Sequence, residues 1–124
     1  MNADAVDLRQ EIIRVNNNLN MSIFGIGLRK QRVVIIEDKI LITADHKRIP
    51  ALASLDRKNR LATRFIDVAI LDEYKTRLHH ELKTQLGLPV RCVLKDYDPE
   101  CELAVTVIVL EEGFLKKEQK EPRE

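Results

Sequence analysis

Carboxylates at alternate positions are the first side chains whose spacing could support chemistry. The stretch LKDYDPECE carries four of them: Asp96, Asp98, Glu100 and Glu102. An EF-hand calcium loop would also need a glycine at its sixth position, where this chain has Cys101. Pro99 fixes φ at a bend, and the aspartates can accept hydrogen bonds from nearby backbone N–H groups. The pattern favours a hairpin turn. The alternatives are a weak divalent-cation site, or a partner-docking loop of Asp96, Asp98, Pro99 and Glu100.

The histidines do not form a metal-binding or catalytic pattern. His79 and His80 are adjacent, and neighbours on a helix point about 100° apart, so they cannot both bind one metal ion. We expect both on a solvated helix surface. His46 precedes two basic residues after a strand, which predicts a surface loop, with an anion site as the alternative. Because no nucleophile elbow accompanies them, we expect no catalytic residue, no metal and no cofactor.

The two cysteines are too far apart for a disulfide. A bend near Asp98 would place Cys92 opposite Val105 or Thr106, roughly 13 Å along the strand from Cys101. That separation exceeds disulfide geometry. The spacing predicts free thiols in a reducing compartment, with a redox pair as the alternative.

Basic residues cluster at two points of the chain, in LRKQR at 28–32 and DRKNR at 56–60. An anion or nucleic-acid patch would consist of Arg29, Lys30, Arg32, Arg57, Lys58 and Arg60. Against it stand a net charge of +1 and an aromatic content of 4%, which leaves few platforms for base stacking. A nucleic-acid-binding regulatory module is therefore the alternative function.

An amphipathic helix is predicted over residues 3–19. Apolar side chains recur there at spacings of three and four: Ala5, Leu8, Ile12, Val15 and Leu19. We expect Asn16 to Asn18 and Asn20 to end it, since short amides compete for backbone hydrogen bonds.

A hairpin is predicted over residues 32–44, where two β-branched runs flank the polar break Glu37-Asp38-Lys39. Val34 and Ile36 point to one face, and Val33 and Ile35 point to the other. Since both faces are apolar, we expect water to be excluded from both sides of this sheet.

A long helical pattern follows from about residue 54 to residue 86. Its broad apolar stripe consists of Ala62, Ile66, Ala69 or Ile70, Tyr74, Leu78, Leu82 and Leu86. Gly87 and Pro89 end it as a left-handed cap and a helix breaker. Because so long a helix would approach about 50 Å at 1.5 Å per residue, we expect a break between Asp56 and Arg60.

A second strand pair is predicted at residues 90–95 and 103–111. The order α-β-β-α-β-β indicates an α+β domain over residues 1–115. Its four-stranded antiparallel sheet would pack against the long helix and the N-terminal amphipathic helix. Residues 116–124, KKEQKEPRE, are charged and nearly free of apolar side chains, which predicts a disordered tail.

The chain has no predicted signal peptide, because its first residues are acidic where a signal would be basic. Apolar runs are strand-sized and too short to cross a bilayer. We therefore expect a cytoplasmic protein without direct membrane insertion.

Three successive segments of the chain can be compared with a known family. They are the hairpin RVVIIEDKILITADHKR, the helix RFIDVAILDEYKTRLHHELKTQLG and the strand pair LPVRCVLKDYDPECELAVTVIVLEE. This arrangement resembles the MpsC-like bacterial proteins, from the first helix through Glu112. The most specific part is VLKDYDPE, where Asp96, Pro99 and Glu100 stand at favoured positions. The chain departs from the family pattern at Leu28, where many relatives have proline.

The resemblance implies a component of a sodium-translocating, membrane-potential-generating system associated with inorganic carbon uptake. It supplies no catalytic residues. The resulting hypothesis is a non-enzymatic cytoplasmic accessory protein that acts by protein–protein interaction, peripheral to the membrane through a transport-protein partner. Apolar surface on both faces of the sheet also predicts a homodimer.

Overall fold

A computed structural model describes residues 2–115 of the chain, with side chains described from Asp7 onward. The elements are α1 (Asn2–Phe24), β1 (Lys30–Ile36), β2 (Lys39–Asp45), α2 (Pro50–Asp56), α3 (Arg60–Leu86), β3 (Val90–Asp98) and β4 (Leu103–Leu110). This order confirms the predicted α+β fold. The charged segment 116–124, predicted to be disordered, lies outside the described residues, as does the side chain of Ala5.

The four strands form one antiparallel sheet in the order β1-β2-β4-β3. The predicted hairpin joins β1 to β2 through Glu37 and Asp38, and Glu37 adopts a left-handed φ of 54°. Strand β2 pairs with β4 across the whole length of both, so these two strands are central. Strands β1 and β3 are the edges.

Helices α1 and α3 cover one face of this sheet, which we call the inner face. Apolar side chains of α1, α3 and the sheet form one core, which contains Ile12, Val15, Leu19, Val33, Ile40, Ile42, Tyr74, Leu78, Leu82, Val93, Ile108 and Leu110. The core residues of α1 follow the spacing predicted for its apolar stripe. Burial of these side chains supplies the main driving force for the fold.

Helix α1 continues past the asparagines that were predicted to end it. Asn16 and Asn20 are buried and hydrogen-bonded: Asn20 Nδ2 donates to the Asn16 carbonyl at 2.8 Å, and Tyr74 donates its hydroxyl to Asn16 Oδ1. Tyr74 lies in the core, and the Asn20 amide bonds a carbonyl one turn back in α1 itself, so neither amide ends the helix. The helix ends at Phe24, and Gly25 follows with a φ of 79° that suits glycine and an N–H that donates to the Met21 carbonyl at 2.8 Å.

The predicted break in the second helical region is confirmed. Helix α2 ends at Asp56 and α3 begins at Arg60, where Asn59 Oδ1 accepts the N–H of Ala62 at 3.1 Å as an N-cap. Helix α2 begins at Pro50, earlier than predicted, because proline is well suited to a first helical position. Gly87 caps α3 with a φ of 66°, as predicted.

The β3–β4 hairpin turns over residues 99–102, so its centre lies beyond the predicted one. Cys92 therefore faces Val109, and the predicted pairing with Val105 or Thr106 is wrong. Both cysteines are free and exposed, which agrees with the prediction of unpaired thiols.

Candidate functional site

The face of the sheet opposite the helices, which we call the outer face, is largely aliphatic. The strand registers place its side chains in rows that cross all four strands. One row consists of Val34, Leu41, Val107 and Leu94, and the next consists of Ile36, Lys39, Val109 and Cys92. Each row alternates along the strands with an inner-face row, as a pleated sheet requires.

No element among residues 7–115 covers the outer face. Leu94 is 56% exposed and Ile36 is 52% exposed, while Val107 and Leu41 on the central strands are only half-buried. Monomeric proteins rarely leave contiguous apolar patches of this kind open, and such patches mark interaction surfaces.

The acidic stretch forms a hydrogen-bonded turn, as the favoured interpretation predicted. Asp98 Oδ1 accepts the N–H groups of Glu100 at 2.9 Å and Cys101 at 3.2 Å. Asp96 Oδ1 accepts the N–H of Tyr97 at 2.9 Å. Within the described part of the chain, no group of three or more metal-ligating side chains comes together.

Glu102 ties the turn to the loop after β2. It has a left-handed φ of 54°, and its carboxylate accepts the Arg48 N–H at 2.7 Å. The Glu102 carbonyl accepts the N–H of His46 at 2.9 Å. This glutamate is therefore a structural member of the acidic stretch.

A groove of about 370 Å³ lies between the acidic turn and the first half of α3. Val68 and Leu71 supply apolar lining, and Arg60 and Arg64 supply positive charge. The opposite wall contains the predicted docking loop Asp96, Asp98, Pro99 and Glu100. The structure therefore brings that loop together with one residue of the predicted basic patch.

The rest of that basic patch is divided. Lys30 and Arg32 lie on edge strand β1, and Arg29 precedes them, whereas the groove containing Arg60 lies beside the opposite edge, β3. Arg57 and Lys58 are exposed in the α2–α3 link. Lys30 and Arg32 therefore lie at the opposite edge of the sheet from Arg60.

The first half of α3 presents an exposed apolar stripe beside the groove. Leu61 is 68% exposed, Phe65 is 69% exposed and Val68 is 55% exposed, at positions i, i+4 and i+7 of one helical face. The predicted core stripe of α3 included Ile66, which is instead 39% exposed. Helix α3 is long enough to extend beyond the sheet, so burial of its large apolar side chains begins at Tyr74.

A buried arginine anchors this half of α3 to the loop after β2. Arg48 donates to Asp56 at 2.8 Å and 3.0 Å and to Asp67 at 2.7 Å and 3.2 Å. Arg60 adds a contact to Asp67 at 3.1 Å. The hydrogen bonds from Arg48 lower the pKa of Asp56 to about 2, and the two carboxylates raise the pKa of Arg48. Such bidentate pairs fix geometry more firmly than lysine could.

His46 and Lys95 line a small cavity at the end of the sheet where β2 ends, together with Phe24 and Tyr97. The ring of Phe24 meets His46 edge-on at 4.3 Å, and His46 Nε2 has no hydrogen-bond partner. Desolvation, strengthened by nearby positive charges, lowers the pKa of His46 to about 4. The prediction that His46 lies on a surface loop is wrong. Its aromatic neighbours come from distant segments, so no local signal identified it.

Lys95 is a second, partly buried base that sequence reasoning missed. Its ammonium group lies 3.4 Å from the centre of the Tyr74 ring, close enough for a cation–π interaction. Desolvation lowers the pKa of Lys95 to about 7. The cavity has room for about one water molecule, with a volume of about 30 Å³. The two bases are thus packed into the fold beside very little space for a ligand.

Comparison with known proteins adds no identification. No family model, curated protein or solved structure matches the chain. The resemblance to the MpsC-like proteins therefore stays a prediction. Among the described residues, no helix has the length and apolar character needed to cross a membrane.

Proposed function

We propose that this chain is a non-enzymatic accessory protein that acts by protein–protein interaction. In this proposal it docks on a membrane transport assembly of the potential-generating, inorganic carbon type that the resemblance implies, from the cytoplasmic side. The observation that carries the proposal is the exposed stripe Leu61, Phe65 and Val68 beside the groove. Apolar side chains spaced along one helical face are the anchors of helix-mediated recognition.

The chemistry of this region suits protein recognition. Interface cores are enriched in aromatic residues such as Phe65, and their rims are polar. Here Arg64 and the acidic turn supply a rim of mixed charge around Val68 and Leu71. A charged rim favours a correctly oriented partner more than it adds affinity.

The support of the stripe is rigid. Arg48 links Asp56 of α2 and Asp67 of α3 to the loop after β2, so the stripe has a fixed position relative to the sheet. A surface that is ordered before binding loses less conformational entropy when its partner arrives. The ion pairs therefore favour docking without contacting the partner.

Affinity capture from native membranes tests the proposal. The full chain serves as bait, beside the variant Phe65→Glu and the double variant Asp96→Ala/Glu100→Ala. Met21→Glu is the matched control, since Met21 is an exposed apolar residue of α1 that does not line the groove.

We expect an integral membrane protein to be retained by the wild-type chain and by Met21→Glu, and to be lost with Phe65→Glu. Loss with the double variant would place the acidic turn in the same contact. Equal retention by Phe65→Glu and wild type, or capture of no membrane protein, would contradict the proposal.

A further inference from the structure

The outer face has opposite charges at its two edges. The row next to the aliphatic centre reads Arg32, Thr43, Val105 and Asp96 across the four strands, and the following row reads Lys30, Asp45, Leu103 and Asp98. Basic side chains thus stand on edge strand β1, and acidic side chains stand on edge strand β3. The central row of Val34, Leu41, Val107 and Leu94 is uncharged.

This pattern is complementary to itself under one symmetry operation. A two-fold axis running parallel to the strands, midway between two sheets, places β1 of one copy over β3 of the other within the same row. Arg32 then faces Asp96 of the second copy, twice per dimer. An axis perpendicular to the strands would instead stack basic edge on basic edge and acidic edge on acidic edge. Only the first arrangement matches opposite charges while the aliphatic rows meet.

We propose that the outer face binds a second copy of this chain, giving a face-to-face sheet sandwich with its two-fold axis parallel to the strands. Aligned packing of two sheets about 10 Å apart allows side chains of facing rows to interdigitate. Val107 and Leu41 lie at the centre of the interface, and Arg32 with the partner copy's aspartate lies at its rim. The opposite charges select the orientation, and the aliphatic rows supply the affinity.

The size of the face sets the expected affinity. A four-stranded sheet with seven-residue strands measures roughly 19 by 23 Å, or about 440 Å² for each copy. Two such faces amount to about 880 Å² in total, slightly below the roughly 1,000 Å² of a stable specific interface. The dimer should therefore be reversible, with a dissociation constant in the micromolar range.

This inference does not depend on the proposed function. Arg32, Val107 and Leu94 do not line the groove, so variants at these positions leave the docking stripe intact and separate the two proposals. Asp96 lines the groove, so Asp96→Arg tests only the orientation of the dimer. Failure of the dimer would leave membrane capture unchanged, and failure of capture would leave the dimer unchanged.

Sedimentation equilibrium over a series of protein concentrations gives the first test. We expect the wild-type chain to dimerise and Val107→Glu to weaken dimerisation by about a hundredfold or more, because it buries a carboxylate in the aliphatic centre. Leu94→Glu should also weaken dimerisation. It should not destabilise the fold, because Leu94 is already 56% exposed. A wild-type chain that stays monomeric into the millimolar range, or a dimer that tolerates both variants, would overturn the proposal.

A mixing experiment tests the orientation. Arg32→Asp and Asp96→Arg should each weaken self-association by about tenfold, because like charges then face each other twice per dimer. An equimolar mixture of the two variants should recover heterodimers within about threefold of wild-type affinity, since each unlike pair restores opposite charges. Arg29→Asp is the charge-matched control, because Arg29 precedes β1 and should leave dimerisation unchanged.

Each variant chain carries only one of the two changes. Recovered dimerisation in the mixture therefore requires a contact between the two different chains. If both variants weaken the dimer but their mixture does not recover, the axis is not parallel to the strands. If neither variant weakens it, the charged edges are not in the interface. Either result would overturn the proposed arrangement.

Discussion

The two faces of the sheet are built from the same kinds of residue, but their side chains are buried to different degrees. Along β4, Ile108 on the inner face is fully buried beneath the helices, whereas its neighbour Val107 on the outer face is only half-buried. Along β2, Ile42 and Leu41 differ in the same way. Hydrophobic alternation therefore identifies which side chains share a face, and it does not identify what covers that face.

This difference explains why the strands are apolar on both sides. An antiparallel sheet with one solvated face usually alternates apolar with polar residues. Here the inner rows are apolar because α1 and α3 cover them. No element among residues 7–115 covers the outer rows, and a second copy covers them in our proposal.

The largest expected difference between the two faces comes from truncating one side chain on each face of β4. We expect Ile108→Ala to cost about 3–4 kcal/mol of unfolding free energy, because it opens a cavity in a closed core. Val107→Ala should cost less than about 1 kcal/mol when measured on dilute monomer, because its site is open to solvent. Urea denaturation of both variants measures the two values.

The comparison would fail if the two truncations cost the same in dilute solution. A high cost at Val107 would mean that the outer face is already covered in the monomer. Repeating the measurement at high protein concentration should raise the cost at Val107 alone, since dimerisation stabilises the folded state by mass action.

The second prediction concerns Arg48 and its ion pairs with Asp56 and Asp67. Arg48→Met should cost about 2–3 kcal/mol, because Asp56 and Asp67 would lose the partner that compensates their partly buried charges. Arg60→Met is the control. Its side chain is 38% exposed, so its ion pairs should contribute at most about 1 kcal/mol. Equal costs in chemical denaturation would contradict the assignment of Arg48 as the anchor.

The third prediction uses the partly buried base Lys95 on the inner side of the sheet. Burial lowers its pKa to about 7, below the value of 10.5 for a free lysine. Between these two values the unfolded chain binds more protons than the folded chain, so stability rises with pH. We expect a gain of about 2 kcal/mol between pH 7.5 and 9.5 from this group.

Lys95→Met should remove that part of the pH dependence. The measurement is the difference in unfolding free energy between wild type and variant across this pH range. The variant should be as stable as wild type or more stable near pH 7, and its advantage should shrink as the pH rises. Parallel pH profiles would show that Lys95 reaches water in the folded state.

The smallest effect is expected at the edge of the outer face. Leu94→Ser should change the stability of dilute monomer by less than about 0.5 kcal/mol, since surface substitutions rarely do more. Thermal unfolding measures this value. A loss comparable to that of Ile108→Ala would mean that Leu94 packs against an element of its own chain.

Much of the fold could be predicted because its signals are local. The hairpin at Glu37 and Asp38, the break before Arg60 and the cap at Gly87 each depend on a few adjacent residues, and all are confirmed. The turn chemistry of Asp98 was likewise readable from its neighbour Pro99.

The parts that could not be predicted depend on partners distant in the chain. Asn16 stays helical because Gln31 and Tyr74 satisfy its amide, and His46 is buried because Phe24 packs on it. Ile66 was predicted to lie on the apolar stripe of α3 and is 39% exposed, because periodicity carries no information about where the sheet ends. The groove was not predicted, because its two walls come from α3 and the acidic turn, which are distant in the chain.

The central claim, that a second copy covers the outer face, is tested most directly by methyl NMR with a soluble paramagnetic agent. As the protein concentration rises from micromolar to millimolar, relaxation enhancement should fall at the methyl groups of Val34, Leu41, Val107 and Leu94. It should stay constant at Leu61 and Val68 of α3. Outer-face methyl groups that stay equally accessible at every concentration would contradict the account.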